Sequence, residues 1–424
     1  MSFVAILFFL VALCVLASLT KRGSDILSPA RMVIFVWSFA LGLAELKLSN
    51  LQHEWSTESW LLVLIGPSSL LLGLYTAFVM NVYARLVSPD GIREVVRRQI
   101  VDSSLLFWLI IISFVVYAAS FLVSYAIKGF VPIFSGEYGG ARTKFSVFGL
   151  GVLVHSMPVI VFFGLVYHVM VKEHVKQKLL IKIVCLISAV TYLFLLQRFL
   201  FILTAVMCFS FAYYATDRMR CRTILVSFIT AVGLFFGVSS LRAGEVIQAY
   251  LYAKSKMKYS MDYAIFTEPY MYVVMNLENL ATGVKRLDHF TFGYYTFDFI
   301  TALAGVKHWM EEYFSLESTP YLNSSYNTYT AFWTYYRDFG IFGIVIVPLL
   351  IGLVVGSAYY AMRREPTLQR IAAYGIMVFI LLFTFFNSPV GFLVFVYVVV
   401  AVYLILRLVT RVQTGVPVKW TNGL

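Results

Sequence analysis

Charged side chains are scarce in this chain. Only 13% of its 424 residues are Asp, Glu, Lys or Arg, against 61% hydrophobic residues and a mean hydropathy of +0.84. Values so far from soluble averages exclude a water-soluble globular domain. Cysteine is scarcer still. Cys14, Cys185, Cys208 and Cys221 sit in or just below apolar runs, so no external disulfide framework is expected. Metal motifs are missing too: there is no His-Glu-x-x-His, no Cys-x-x-Cys, and no Asp-x-Asp to hold a divalent ion against a nucleotide diphosphate. No metal or other cofactor is therefore expected. No repeat, low-complexity tract or soluble-domain boundary interrupts residues 1–424, which read as one integral domain. The lone Gly149-x-Gly151 opens an apolar run, where close helix packing explains it better than phosphate cradling.

What the chain does have is a succession of long apolar runs. A crossing helix needs about 20 apolar residues, because each adds about 1.5 Å across a hydrocarbon core roughly 30 Å thick. Eleven stretches qualify: 2–19, 32–48, 60–80, 104–127, 147–171, 181–196, 200–216, 223–240, 341–362, 371–386 and 389–407. The run 181–216 divides in two at Gln197 and Arg198, since one helix of that length would measure roughly 54 Å. The predicted fold is an all-α polytopic membrane protein of about 11 transmembrane helices. The first run has the length of a signal-peptide core, but Lys21 and Arg22 follow it rather than precede it, which favours a retained helix starting outside.

Lys and Arg collect on the cytoplasmic side of short loops. Placing 20–31, 81–103, 172–182, 217–222, 363–370 and the tail after Leu406 inside puts 20 of the 33 Lys+Arg there with 7 acidic residues. The other side then has 13 basic and 14 acidic residues, so the net charge of +12 divides as +13 inside and −1 outside. The basic excess is accounted for as a topology signal, with no nucleic-acid partner required.

One long segment, 241–340, is too polar for the bilayer. It holds 20 charged or His side chains and 14 of the 28 tyrosines. A flat apolar face beside a hydrogen-bonding edge suits Tyr and Trp to sugar rings. Two further crossings within 264–305 would preserve parity, but Glu268, Glu278 and Asp298 would be costly in lipid. A large external loop between the eighth and ninth runs is the expectation.

Candidate functional residues lie on that outer side. The loop 128–144 spaces Glu137, Tyr138 and Arg142 with glycines, and Arg198 stands at the turn between two short runs, where an isolated Arg must reach water, a headgroup or an anion. Arg242 and Glu245 share one helical face, as suited to a structural ion pair as to a site. The most specific pattern is Tyr326-Asn327-Thr328-Tyr329-Thr330-Ala331-Phe332-Trp333-Thr334-Tyr335-Tyr336-Arg337-Asp338-Phe339-Gly340-Ile341-Phe342-Gly343. Asp338 is placed to cap the ninth run, and Gly340 and Gly343 to allow close packing.

The many spans, Gln197-Arg198, Arg242-x-Gly244, Asn327-x-Tyr329-Thr330 and Tyr336-x-Asp338-Phe339-Gly340-x-x-Gly343 together resemble the O-antigen polymerase family, the oligosaccharide repeat-unit polymerases, in the superfamily that includes the O-antigen ligases. The ligases usually carry a His and a small polar residue about nine positions before the Gly-x-x-Gly; this chain has Tyr329-Thr330, which argues against a ligase. The resemblance implies a glycosyltransferase C-like, multi-pass enzyme of the bacterial inner membrane with 241–340 as a periplasmic loop. It would join repeat units carried on undecaprenyl diphosphate, with membrane lipids and a chain-length regulator as partners. Such a donor has its leaving group in place, so the protein must supply cations for the diphosphate and a base for the acceptor hydroxyl. Arginine binds phosphate oxygens bidentately without a metal. Arg142, Arg198, Arg242 and Arg337 form the diphosphate-binding pool, with Arg198 and Arg242 preferred. Glu245 and Asp338 are the base candidates, with His289 and His308 behind them. Tyr326, Asn327, Tyr329, Trp333 and Tyr336 are the expected sugar-binding surface. A ligase or other lipid-linked glycan transferase, and a flippase of such glycans, are the alternatives. The polar residues gather at one rim rather than at mid-membrane, which favours chemistry over transport.

Overall fold

The computed structural model describes residues 2–19, 24–135, 141–172, 174–216, 248–284, 287, 289–307, 309–310, 326 and 328–411. In chain order the main helices are α1 (Phe3–Leu19), α2 (Pro29–Ala44), α3 (Thr57–Met80), α4 (Pro89–Arg97), α5 (Ser103–Lys128), α6 (Met157–Met170), α7 (Val175–Leu193), α8 (Phe199–Ala215), α9 (Thr267–Gly283), α10 (Ala331–Arg364), α11 (Leu368–Phe383) and α12 (Leu393–Val409). The only paired strands among the described residues are β1 (Ile100–Val101) and β2 (Thr410–Arg411), two residues each and antiparallel. Helix starts follow local chemistry. Ser56, Ser88 and Asp102 each accept a backbone N–H of the first turn of α3, α4 and α5, and Gly129, at φ 74, closes α5 in the left-handed region.

This is a helical, membrane-embedded protein. Thr57–Met80, Ser103–Phe134, Leu150–Met170 and Ala331–Arg364 are long and apolar enough to cross a bilayer, and five shorter apolar helices accompany them. Large side chains such as Leu61, Leu72, Trp108, Ile112, Val115, Leu122 and Val354 stand exposed along these helices. Hydrocarbon, not water, is the solvent in which such a surface is stable.

The described residues form two compact units. The first draws on Met1–Ala84, Gly244–Tyr360 and Ile380–Leu393. In it α1 packs on α2, with Phe9 edge-on to Phe39 and seated against Gly42. Helices α3 and α10 cross backbone to backbone. A Cβ on Gly73 would lie 2.1 Å from the Leu349 carbonyl oxygen, and one on Gly352 would lie 2.2 Å from that of Leu70. The second unit draws on Arg85–Ala243, Ala361–Phe379 and Val394–Leu424. Its core gathers α5, α6, α7 and α8, with Tyr117 bonded to Thr191 (2.8 Å) and Phe162 edge-on to Phe211. On one edge Val87 N–H donates to Arg363 O (2.7 Å), Gln99 Nε2 donates to Pro366 O (2.6 Å), and β1 pairs with β2. These are segments that the charge count assigns to one side of the membrane.

Ten of the eleven expected runs coincide with helices; the eleventh, 223–240, lies outside the described residues. Three boundaries differ for physical reasons. The run 147–171 is broken into Leu150–Leu153 and α6, because Pro158 at the start of α6 favours a new helix over a continued one. Helix α7 starts at Val175, six residues early, with Lys176 and Lys178 on its first turn. Helix α10 starts at Ala331, ten residues before the expected run. It is two helices joined at Gly340, whose φ of 62° and ψ of −145° interrupt it one residue before Ile341. The segment expected to be a loop is also more built than that, since α9 within it is mostly buried.

Candidate functional site

In the first unit, α9 lies over the connection between α2 and α3. Ser49 pairs with Met257 in a single antiparallel bridge, Ser59 Oγ donates to Ala281 O (3.0 Å), and Tyr270 Oη donates to Gln52 Oε1 (2.7 Å) while accepting Leu48 N–H (3.0 Å). Burial pushes the Tyr270 hydroxyl well above its ordinary value of 10.0, with the Glu278 carboxylate adding to the rise. From the other face of α9, Asn279 Nδ2 donates to the carbonyls of Tyr326 (3.1 Å) and Thr328 (2.8 Å), and Asn276 accepts the Thr328 hydroxyl. The extended stretch before α10 is thereby fixed to α9.

Helix α10 then delivers an aromatic stack. Tyr329 and Trp333 lie parallel, centroids 4.4 Å apart with 11° between planes, and Trp333 stacks more loosely on Tyr336 at 6.3 Å. Gly283 leaves room for the pair, since a Cβ there would sit 3.1 Å from the Trp333 ring and 3.3 Å from that of Tyr329. One turn beyond Trp333 is Arg337, only 7% exposed. Its guanidinium carbon is 4.2 Å from the centroid of the Tyr295 ring, a cation–π contact, and its Nε is buried without a hydrogen-bond partner. Among the described residues no carboxylate pairs with it.

Asp338 is fully buried. Its Oδ1 accepts the Thr291 hydroxyl and the Tyr295 N–H (3.2 Å), and its Oδ2 accepts the Thr296 N–H (2.6 Å). Backbone bonds from Thr291 to Arg337 and from Phe292 to Asp338, both 3.1 Å, complete the joint. The turn that carries Tyr295 is thus clamped to the end of the first α10 segment. Gly340 follows at once, with its open side against the Phe290 ring, and Gly343 comes so close to the Tyr335 carbonyl that a Cβ would lie 2.1 Å from it. The Asp-Phe-Gly-x-x-Gly pattern is therefore a clamp followed by a sharp break.

The second unit holds Arg198 and Arg142. Arg198 is the half-buried N-cap residue of α8, after a turn in which Leu196 adopts φ 57. Beside it Gln197 Oε1 accepts from the Tyr192 hydroxyl (3.0 Å), which also bonds His155 Nδ1 (2.9 Å). A small cleft lies there, lined by Ser124, Phe145, Ser146, Gly151, Val154, His155, Leu195 and Gln197. Arg142 lies in the short helix Ala141–Phe145, whose last residue lines that cleft, and Ile133 N–H bonds Phe194 O (3.0 Å). Residues 133 and 145, from either end of the loop region, therefore lie near the turn at Arg198.

Of the expected sugar-binding residues, Tyr329, Trp333 and Tyr336 come together in the first unit, while Tyr326 packs edge-on to Tyr272. Tyr326 is the most enclosed, accepting from Ser255 Oγ (3.4 Å), and burial pushes its hydroxyl well up. His289 is exposed on a turn. Arg242, Glu245, Asn327 and His308 lie outside the described residues. Sequence reasoning passed over Tyr295, Lys47, Trp55 and the buried face of α9. Asn276, Glu278 and Asn279 were the available signal, three polar groups among apolar neighbours. Comparison with protein-family models, with curated proteins and with solved structures returns no match to this chain.

Proposed function

We propose that this protein is a glycosyltransferase that polymerises undecaprenyl-diphosphate-linked oligosaccharide repeat units at the outer face of the bacterial inner membrane. The O-antigen or a related surface polysaccharide is the product class. One observation carries the reading: Arg337 is nine-tenths buried, stacked on Tyr295, and lacks a carboxylate among the described residues. Burying an unpaired charge costs several kcal/mol, which an anionic ligand offsets. A diphosphate suits it, because the guanidinium offers planar, paired donors and keeps its charge. The stack of Tyr329, Trp333 and Tyr336 suits sugar rings, and Tyr329 and Tyr336 belong to the motifs on which the family resemblance rests.

In this reading Arg337 holds the leaving diphosphate of one lipid-linked glycan in the first unit. Arg198 and Arg142 serve in the second, with Arg242 in the same pool and Glu245 a base candidate. All eleven runs cross the membrane, and 241–340 faces the periplasm, where a chain-length regulator has access. The test is Arg337→Ala and Arg337→Lys in purified protein. Loss of a charge-assisted contact that tightens in the transition state should lower turnover about 10²- to 10³-fold, equivalent to roughly 3–4 kcal/mol. Lys should restore only part, having charge without the planar fork. Wild-type turnover and wild-type affinity for undecaprenyl diphosphate in Arg337→Ala would remove Arg337 from the mechanism.

A further inference from the structure

Glu278 on α9 is fully buried, yet only half of its carboxylate is used. Oε1 lies 3.3 Å from Lys47 Nζ, while Oε2 is buried with no hydrogen-bond partner. The neighbouring asparagines show what a purely structural role looks like on this helix, for Asn279 binds two carbonyls and Asn276 a hydroxyl. Lys47 is already engaged, since it donates to the His53 carbonyl (2.6 Å), lies 3.6 Å from Glu45 Oε1 and stands 4.7 Å from the Trp55 ring centroid. Trp55 Nε1 is buried and unpartnered as well. An ion pair alone explains Oε1 but leaves a carboxylate oxygen and an indole N–H without partners, and buried polar groups are otherwise almost always satisfied.

A ligand hydroxyl supplies what both atoms lack: its proton for Oε2 and its oxygen for an N–H donor. The aromatic stack rests on the same helix, against Gly283, five residues on from Glu278, about 7.5 Å further along the axis and roughly 140° round it. We propose that Glu278 Oε2 accepts the proton of the attacking hydroxyl of the acceptor sugar, with Trp55 Nε1 donating to a sugar oxygen. This assignment rests on the glycosyl-transfer reading above. In the step, the acceptor oxygen bonds to the anomeric carbon of the lipid-linked donor and its proton passes to Glu278. The bond from that carbon to the diphosphate oxygen breaks, and its electron pair leaves with undecaprenyl diphosphate. Glu278 then releases the proton to water. Lys47 keeps Oε1 in place, so that Oε2 is the oxygen presented.

The test compares Glu278→Gln, Glu278→Ala and the double variant Lys47→Met/Glu278→Gln, purified and reconstituted with undecaprenyl-diphosphate-linked oligosaccharide. Gln keeps the shape and an acceptor for Lys47, so KM should stay within about threefold while kcat falls about 10²- to 10⁴-fold. In Glu278→Ala, added formate should restore part of kcat, an effect a structural ion pair does not give. The double variant removes both charges at once, which keeps the comparison open if a single variant fails to fold. It should be equally slow. Wild-type kcat in any folded variant, or folded Glu278→Ala that formate does not restore, would overturn the assignment. Failure of the wild-type protein to elongate the glycan would instead overturn the glycosyl-transfer reading itself.

Discussion

Replacing Asp338 by Asn separates a clamp from a base at the motif residue that attracts both readings. In the structure Asp338 is fully buried and accepts three hydrogen bonds, one from the Thr291 hydroxyl and two from backbone N–H groups. Asn retains one carbonyl oxygen, which can serve Thr291 and Tyr295, but turns an NH₂ toward the Thr296 N–H. Hydrogen bonds to charged groups contribute about 1.5–3 kcal/mol each, and a buried donor left without a partner costs about 1–3 kcal/mol. The expected loss is therefore about 2–5 kcal/mol, concentrated at the turn that supports Tyr295. Because Tyr295 carries the Arg337 guanidinium, turnover should fall along with thermal stability, and affinity for undecaprenyl diphosphate should weaken too. Melting of the purified protein in detergent, with and without that ligand, is the assay, and activity is measured on the same preparation. A variant that melts with the wild type and binds normally but does not turn over would refute the clamp and make Asp338 the proton acceptor.

Gly352→Leu should cost about 1–3 kcal/mol or more and reduce the yield of folded protein, since its side chain would run into the Leu70 carbonyl; unchanged melting would refute the close crossing of α3 and α10. If arginine takes the place of a metal as proposed, glycan elongation should survive EDTA, and a strict requirement for added Mg²⁺ would count against the proposal. Tyr259, Tyr270 and Tyr326 all have hydroxyls raised above 10.0, mainly by burial, so the neutral form favours the fold. Their contribution should be complete below pH 10 and lost as pH rises above it, read as tyrosinate absorbance appearing together with unfolding; early, non-cooperative ionisation of all three would contradict the packing. In a cysteine-free background, Tyr263→Cys should label from outside and Tyr83→Cys only after the cytoplasm is opened, both positions being exposed. The reverse pattern would invert the topology.

Membrane embedding and helix positions were legible because apolar runs need only length and composition to be recognised, and helix boundaries moved where Pro158 or lysines at a helix start intervened. The break before the ninth run was legible as a motif, yet its meaning was not. Nothing in Asp338-Phe339-Gly340 says that the carboxylate is consumed by the N–H groups of residues some forty positions earlier, a contact only the fold creates. Charge in α9 was legible only as a cost in lipid that argues against further crossings; that Glu278 is buried against Lys47, 231 residues away, is a contact only the fold creates. Arg337 stood in the diphosphate pool behind Arg198 and Arg242, because its burial and lack of a carboxylate depend on the turn at Tyr295, which no local pattern announces.

The central claim is tested most directly by reconstituting the wild-type protein in vesicles with undecaprenyl-diphosphate-linked oligosaccharide on its outer face and following both products. The account predicts a ladder of lengthened glycans, with one undecaprenyl diphosphate released for every new linkage and no nucleotide sugar or metal added. Oligosaccharide that keeps its length, whether left in place or moved intact across the bilayer, would contradict it.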